Sequence, residues 1–139
     1  MKGLMNMTAK EYLSQAFRID QRIRMKMEQI DSLRDLVTRM GAQMSDMPKS
    51  PNKGQSRTED ILIKIVDMEN AINRDIDRLI SLKEDIMHTV NKVEDIDCQM
   101  VLEKRYLLFE TWESIAAEMG YTVRNVHLIH GKALNMIKI

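Results

Sequence analysis

Apolar residues recur at heptad spacing through residues 8–40, a segment without glycine or proline. Such spacing places one apolar stripe along a helix, and Lys26 is the polar interruption of that stripe. Thr8 followed by Glu11 forms the capping-box pattern that begins a helix. The pattern predicts a long amphipathic helix whose buried positions are Ala16, Ile19, Ile23, Ile30, Leu33, Val37 and Met40.

A second heptad track runs through residues 58–93, with Asp75 and Thr89 as its polar members. Between the two tracks, residues 41–57 read GAQMSDMPKSPNKGQSR, and their glycines, prolines and small polar residues predict a loop. Two long helices joined by one loop most simply fold back as an antiparallel, coiled-coil-like hairpin. The apolar positions of the second helix are Ile61, Ile65, Met68, Ile72, Leu79, Leu82, Ile86 and Val93.

The polar positions Lys26 and Asp75 come close to each other if the chain folds at the middle of this loop. One interpretation is an ion pair, which would set the register of the helices more than it would stabilise them. In the other interpretation both groups lie at the edge of the seam and reach water, because long side chains bend readily towards solvent. The sequence leaves both arrangements open.

The heptads stop after residue 93, and the chain then breaks into shorter elements. The stretch VEDID at 93–97 offers Asp95 or Asp97 as a helix N-cap, and a helix is predicted from about residue 98 to about residue 109. The domain boundary is therefore placed between residues 97 and 98. A helical hairpin occupies 1–97 and a small helical domain occupies 98–139.

Two short helices are predicted to follow, with Thr111 and Thr122 as their N-caps and Gly120 in the left-handed turn between them. Ala116 and Gly120 are four residues apart, the spacing that the crossing and the turn of a helix-turn-helix require. The apolar residues of this segment then face inward, and they are Trp112, Ile115, Ala116, Met119, Tyr121, Val126, Ile129, Ala133, Leu134 and Ile137.

The composition favours helices and a buried core. The 139 residues are 44% hydrophobic and 30% charged, with 5 glycines, 2 prolines and 4% aromatic residues, a balance typical of an all-α protein. The single cysteine, Cys98, excludes an internal disulfide framework, and we interpret it as structural. No apolar run approaches the roughly 20 residues of a membrane span, and the first residues lack the apolar stretch of a signal peptide. We therefore expect a cytoplasmic protein without a membrane partner.

Charge is balanced overall, with 21 basic and 21 acidic side chains, so only its distribution is informative. Residues 119–139 contain Arg124, Lys132 and Lys138 and no acidic residue. A basic segment that coincides with a helix-turn-helix pattern favours double-stranded DNA as the partner.

The run YLLFETWESIAAEMG at 106–120, followed by KAL at 132–134, resembles region 4 of sigma-70-type factors over about residues 100–137. A long helical N-terminal part joined to such a module is similar to the phage-encoded late transcription regulators of the ArpU/RinA type. The resemblance implies a transcription regulator that binds promoter-region DNA in a bacterial host cell, beside RNA polymerase or as a dimer. The family often carries acidic, arginine and glutamine side chains after the turn, and this chain departs from that pattern, so we expect a different sequence preference.

In that family the residues just after the turn read bases, and here those positions are Arg124, Asn125, His127 and Leu128. A recognition helix presents its N-terminal turns to the major groove, where arginine contacts guanine and asparagine contacts adenine. Thr122 and the free backbone N–H groups after it suit a phosphate. The full predicted DNA-binding set is Thr111, Trp112, Thr122, Val123, Arg124, Asn125, His127, Leu128 and Lys132.

One copy with about three phosphate contacts would bind weakly, because each contact adds only roughly 0.9 to the log–log salt slope of binding. A second copy or RNA polymerase is therefore expected as a helper, and the heptad helices are the expected dimerisation device. The rival interpretation is a coiled-coil assembly or adaptor protein whose C-terminal helices bind protein instead of DNA. The predicted oligomerisation residues are Ile23, Ile30, Leu33, Val37, Ile65, Met68, Ile72 and Leu79.

His127 and His130 are three residues apart and would need His88 or Cys98 to complete a metal site. Zinc sites use three or four ligands, and no cysteine or carboxylate accompanies the two histidines locally, so no metal is predicted. The histidines are instead expected to be solvated or to face DNA. The sequence contains no glycine-rich phosphate loop, nucleophile elbow or credible pair of acid–base carboxylates, so we predict neither an enzyme nor a cofactor.

Overall fold

The computed structural model describes residues 7–46 and 51–139. Within these ranges the regular elements are five α-helices: α1 (Ala9–Asp46), α2 (Pro51–Asn91), α3 (Ile96–Tyr106), α4 (Trp112–Met119) and α5 (Val123–Met136). The expectation of an all-α protein is confirmed. Over the same ranges, every helix is too short or too polar to cross a lipid bilayer.

Short-range hydrogen bonds begin α1 and α3. The cap predicted at Thr8 is confirmed, because the amide of Glu11 donates to Thr8 Oγ1 at 3.1 Å. Asp95, the first of the two candidate caps, begins α3 by accepting from the amide of Cys98 at 3.0 Å. This hydrogen bond favours the ionised carboxylate and is the main reason that the pKa of Asp95 is lowered. The helix then ends at Tyr106, short of the predicted end near residue 109.

The predicted loop over residues 41–57 is wrong for 41–46 and 51–57, which belong to α1 and α2. Residues 47–50 of that prediction lie outside the described residues. Glycine inside a helix costs only about 1 kcal/mol, and a helix that has already nucleated adds polar residues at little cost. Pro51 is the first residue of α2, a position where the missing N–H of proline has no helical partner to lose.

The chain divides into two compact units. Among the described residues, 7–19 and 78–139 form the terminal unit, and 20–46 and 51–77 form the middle unit. The predicted boundary between residues 97 and 98 therefore falls inside the terminal unit. The reason is that the beginning of α1 and the end of α2 share a hydrophobic core with the C-terminal helices, formed by Leu13, Ala16, Ile86, Val90, Val93, Cys98, Leu102, Tyr106 and Ala133.

Ion pairs connect the α1 and α2 segments of the middle unit. Lys26 Nζ lies 2.8 Å from Asp75 Oδ2, and the two side chains are 21% and 15% exposed. Arg34 Nη2 lies 2.8 Å from Glu69 Oε2 in a more exposed pair. Of the two arrangements that the sequence left open for Lys26 and Asp75, the structure therefore contains the ion pair. In these two pairs, the later residue of α1 contacts the earlier residue of α2.

The predicted oligomerisation residues already pack against other side chains of the same chain. Ile23, Ile30, Ile65 and Ile72 are buried in the middle unit. Leu33, Val37 and Met68 are half-buried there, and Leu79 packs against the core of the terminal unit. In this arrangement these side chains offer little surface to a second copy, because a heptad seam that is closed within a chain cannot also face another chain.

A second small core holds α4 and α5 against α3. Its buried members are Val101, Ile115, Ala116 and Val126, with the half-buried Trp112, Met119, Val123 and Ile129 around them. The inward-facing stripes predicted for these helices are confirmed, with one exception. Tyr121 is 37% exposed, and its hydroxyl donates to Asp97 Oδ2 at 2.6 Å. The carboxylate provides a better partner for the phenol at the surface than an apolar core would.

Candidate nucleic-acid interface

The turn between α4 and α5 has the local geometry that the sequence predicted. Thr111 Oγ1 accepts from the amide of Ser114 at 3.1 Å and begins α4. Gly120 ends that helix in the left-handed region, with a φ of 72°. Thr122 Oγ1 then accepts from the amide of Asn125 at 3.1 Å and begins α5. Each of these three positions depends on contacts within four residues, which is why the sequence alone identified them.

The predicted base-reading residues lie mainly on the solvent side of α5. Arg124 and His127 are exposed, Leu128 is 65% exposed, and Asn125 is half-buried. Val123 is the exception to the prediction, because it packs against the core that holds α4 and α5. The structure therefore places the four predicted base-reading side chains on one element, whereas Val123, a member of the wider predicted DNA-binding set, packs into the core.

The start of α5 retains free hydrogen-bond donors. The first amides of a helix have no partner within the helix, and here Thr122 satisfies only the amides of Asn125 and Val126. Because Thr122 Oγ1 acts as an acceptor in its cap, its own hydroxyl proton stays available to an anion. Together with the helix dipole, this end of α5 suits a phosphate oxygen.

Nearby carboxylates reduce the positive charge of this surface. Lys132 Nζ lies 3.5 Å from Asp95 Oδ2, so Lys132 has an acidic partner within the protein. Asp97 lies beside Tyr121, just before the start of α5, and raises the pKa of that phenol through the hydrogen bond. Among the described side chains, Arg124 and Lys138 have no ion pair. Two basic side chains, not the three counted in the sequence, are therefore available to phosphates.

Trp112 belongs to the predicted DNA-binding set together with Thr111, but its ring is occupied by contacts within the protein. The guanidinium of Arg105 lies 4.4 Å from the centre of the indole ring. The rings of His127 and His130 lie 4.5 Å and 4.7 Å from it. Trp112 thus joins α3, α4 and α5, and Thr111 serves as the cap of α4.

The prediction that both histidines are solvated or face DNA is wrong for His130. It is only 8% exposed, and its Nε2 shares a hydrogen bond of 2.6 Å with the hydroxyl of Tyr106. Burial lowers its pKa to about 4, with smaller contributions from the positive charges of Lys10, His127 and Arg105.

The helical spacing contained a signal for this burial. His130 lies four residues after Val126 and three before Ala133, and both of those residues are fully buried. Over the described residues, no three His, Cys, Asp or Glu side chains are grouped so as to hold a metal ion.

Cys98 lies in the same core and is 1% exposed. Its thiol points to the carbonyl oxygen of Ile129 at a distance of 3.9 Å. Burial is the main cause that raises the pKa of the thiol, which keeps it protonated. These observations agree with the interpretation of Cys98 as a structural residue.

No protein-family model matches the sequence, no curated protein matches it, and no solved structure matches its fold. The likeness to region 4 of sigma-70-type factors therefore depends only on the residues quoted above.

Proposed function

We propose that the protein is a sequence-specific DNA-binding transcription regulator in which α4, the turn at Gly120 and α5 act as a helix-turn-helix. The α1 and α2 segments of the middle unit act as an antiparallel helical hairpin. One observation carries the proposal: α5 buries one side against α3 and α4 and exposes the opposite side, which bears Arg124 and Leu128 and no carboxylate.

This exposed side has the chemistry of a major-groove reader. An arginine can donate two hydrogen bonds to guanine, an asparagine can pair with adenine, and an apolar side chain can contact the thymine methyl group. Arg124, Asn125 and Leu128 supply these three functions within the first two turns of α5. Thr122 and the free amides beside it would fix the helix on the backbone.

The small number of available basic residues supports the need for a helper. If both Arg124 and Lys138 displace counterions on binding, the log–log salt slope is about 2, which is low for a specific DNA-binding protein. A dimer would double the slope to about 4. The resemblance to phage-type regulators favours either a second copy or bacterial RNA polymerase as the helper, in the cytoplasm of a bacterial host.

The proposal is tested by selecting bound sequences from a random DNA pool and measuring affinity for the selected site at two salt concentrations. The variant Arg124→Ala should lose affinity by about tenfold or more and relax the preference at one base pair. Arg74→Ala is the matched control, because Arg74 is an exposed residue of α2 in the middle unit. Circular dichroism should show unchanged helicity in both variants. Enrichment of no sequence, or equal behaviour of the two variants, would end the proposal.

A protein-binding adaptor is the second candidate, and a specific observation favours it. The middle unit exposes Leu62, Ile63 and Val66 on α2, at 47%, 59% and 53%. Neighbouring exposed apolar residues are typical of a surface that another protein covers. Concentration-dependent self-association, measured by analytical ultracentrifugation, together with a lack of DNA affinity would favour the adaptor.

A further inference from the structure

A small cavity in the terminal unit lies between the beginning of α1, the end of α3 and the beginning of α4. Its volume is about 120 Å³, several times the roughly 10–15 Å³ that one water needs. The polar lining residues are Lys10, Ser14 and Arg105, and the remaining wall is aromatic, formed by Phe17, Tyr106, Phe109 and Trp112. The lining is therefore cationic, and it contains no acidic side chain.

Both cations of the cavity lack a carboxylate partner among the described side chains. Arg105 is half-buried and donates from Nη1 to the carbonyl oxygen of Glu110 at 2.9 Å. A guanidinium has five N–H donors, so most of them remain for another group. A half-buried cation without a counter-ion is unfavourable, and an anion that entered the cavity would offset that cost.

The positive charges of Lys10 and Arg105 also affect a buried residue behind the cavity, His130. The pKa of His130 is lowered first by burial and then by the positive charges of Lys10, His127 and Arg105. His130 is hydrogen-bonded to Tyr106, whose ring lines the cavity. An anion between Lys10 and Arg105 would therefore be attracted by both charges, more strongly by that of the half-buried Arg105 than by that of the exposed Lys10.

One residue of the aromatic wall, Phe109, has an unfavourable backbone conformation. Phe109 has a φ of 58°, in the left-handed region that residues other than glycine rarely adopt. Its ring packs edge-on against Phe17 at 5.5 Å between centroids, and Lys83 Nζ lies 4.7 Å from the ring centre. Backbone strain that packing maintains in this way is concentrated at ligand-binding sites.

We propose that this cavity binds a phosphate group between Lys10 and Arg105. A planar arginine fork and a lysine ammonium together match the several oxygens of phosphate. The cavity borders the exposed side of α5 where Trp112 contacts the ring of His127, but phosphate binding there goes beyond DNA reading and does not require it. The phosphate group is either a free ion or part of a nucleic-acid backbone, and the experiment separates these two sources.

Trp112 lines the cavity and is the only tryptophan of the chain, so its fluorescence reports directly on the site. Inorganic phosphate is titrated into the full-length protein, with chloride keeping the ionic strength constant. A saturable fluorescence change is expected. Lys10→Gln should weaken binding about threefold to fivefold, because Lys10 is exposed. Arg105→Gln should weaken it about tenfold, and Lys64→Gln, at an exposed lysine of the middle unit, should change nothing.

A duplex of random sequence, titrated in chloride alone, forms the second arm. If the duplex gives a response that depends on Lys10 and inorganic phosphate gives none, the site binds a backbone phosphate. Arg124→Ala should leave the phosphate response intact, so failure of DNA reading and failure of this inference remain distinguishable. If Arg105→Gln loses helicity, Lys10→Gln decides the result. The absence of any response in both arms, or a response that neither variant weakens, would overturn the proposal.

Discussion

Lowering the pH to about 5 is expected to destabilise the protein through His130. The imidazole is 8% exposed and is hydrogen-bonded to Tyr106, and its pKa falls from 6.5 to about 4 in the folded chain. The unfolded chain therefore binds the proton more readily than the folded chain does. The stabilisation is complete well above pH 6.5 and is lost progressively as the pH falls from 6.5 towards 4.

The magnitude follows from the two pKa values. Each pH unit between 6.5 and about 4 corresponds to roughly 1.36 kcal/mol, so the total loss approaches about 3 kcal/mol. About 2 kcal/mol of this loss occurs between roughly pH 7.5 and pH 5. For a small domain with a stability of roughly 5–15 kcal/mol, such a loss is easily measured.

Urea unfolding followed by far-UV circular dichroism gives the free energy of unfolding at each pH. The comparison is between the wild type and His130→Gln, with His88→Gln, at an exposed histidine, as the control. The wild type should lose about 2 kcal/mol more than His130→Gln between roughly pH 7.5 and pH 5. The carboxylates with lowered pKa, Asp95 and Glu118, start from ordinary values of 3.8 and 4.5 and act mainly at lower pH. An equal loss in the wild type and in His130→Gln would refute the reasoning.

Four further changes test the ion pairs and the helix ends, each by urea unfolding. Lys26→Met should cost about 1 kcal/mol, because Asp75 is largely buried and loses its nearest cation while Arg22 Nε stays 3.7 Å away. Adding Asp75→Leu should restore most of that loss, and no recovery in the double variant would contradict this. Arg34→Met, in an exposed pair, should cost less than about 1 kcal/mol. Gly120→Ala should cost about 1 kcal/mol of unfolding free energy. The cost comes from backbone strain alone, because the space for a methyl group is open. An unchanged stability would show that the left-handed turn is not maintained. Thr122→Ala should cost about 1 kcal/mol by removing the cap of α5, and Thr122→Ser should retain it.

The sequence by itself determined the features that depend on neighbours in the chain. The caps at Thr8, Thr111 and Thr122 and the left-handed glycine at Gly120 are all found where they were predicted. Each requires only a side chain and a backbone group within about four residues, so the local pattern contains all the necessary information. Heptad periodicity likewise identified the buried sides of the helices, because apolar surface is driven from water whatever covers it.

Tertiary structure alone decided which groups cover those sides and which polar residues are buried with them. The burial of His130 depends on the hydroxyl of Tyr106, 24 residues away in the chain. The ring of Phe109 packs against that of Phe17, and the cavity forms because the fold brings Lys10 and Arg105 to the same wall. A polar residue at the edge of an apolar stripe can face either water or a remote partner. Burial of the polar residue becomes favourable only when the folded chain supplies a hydrogen-bond partner for it.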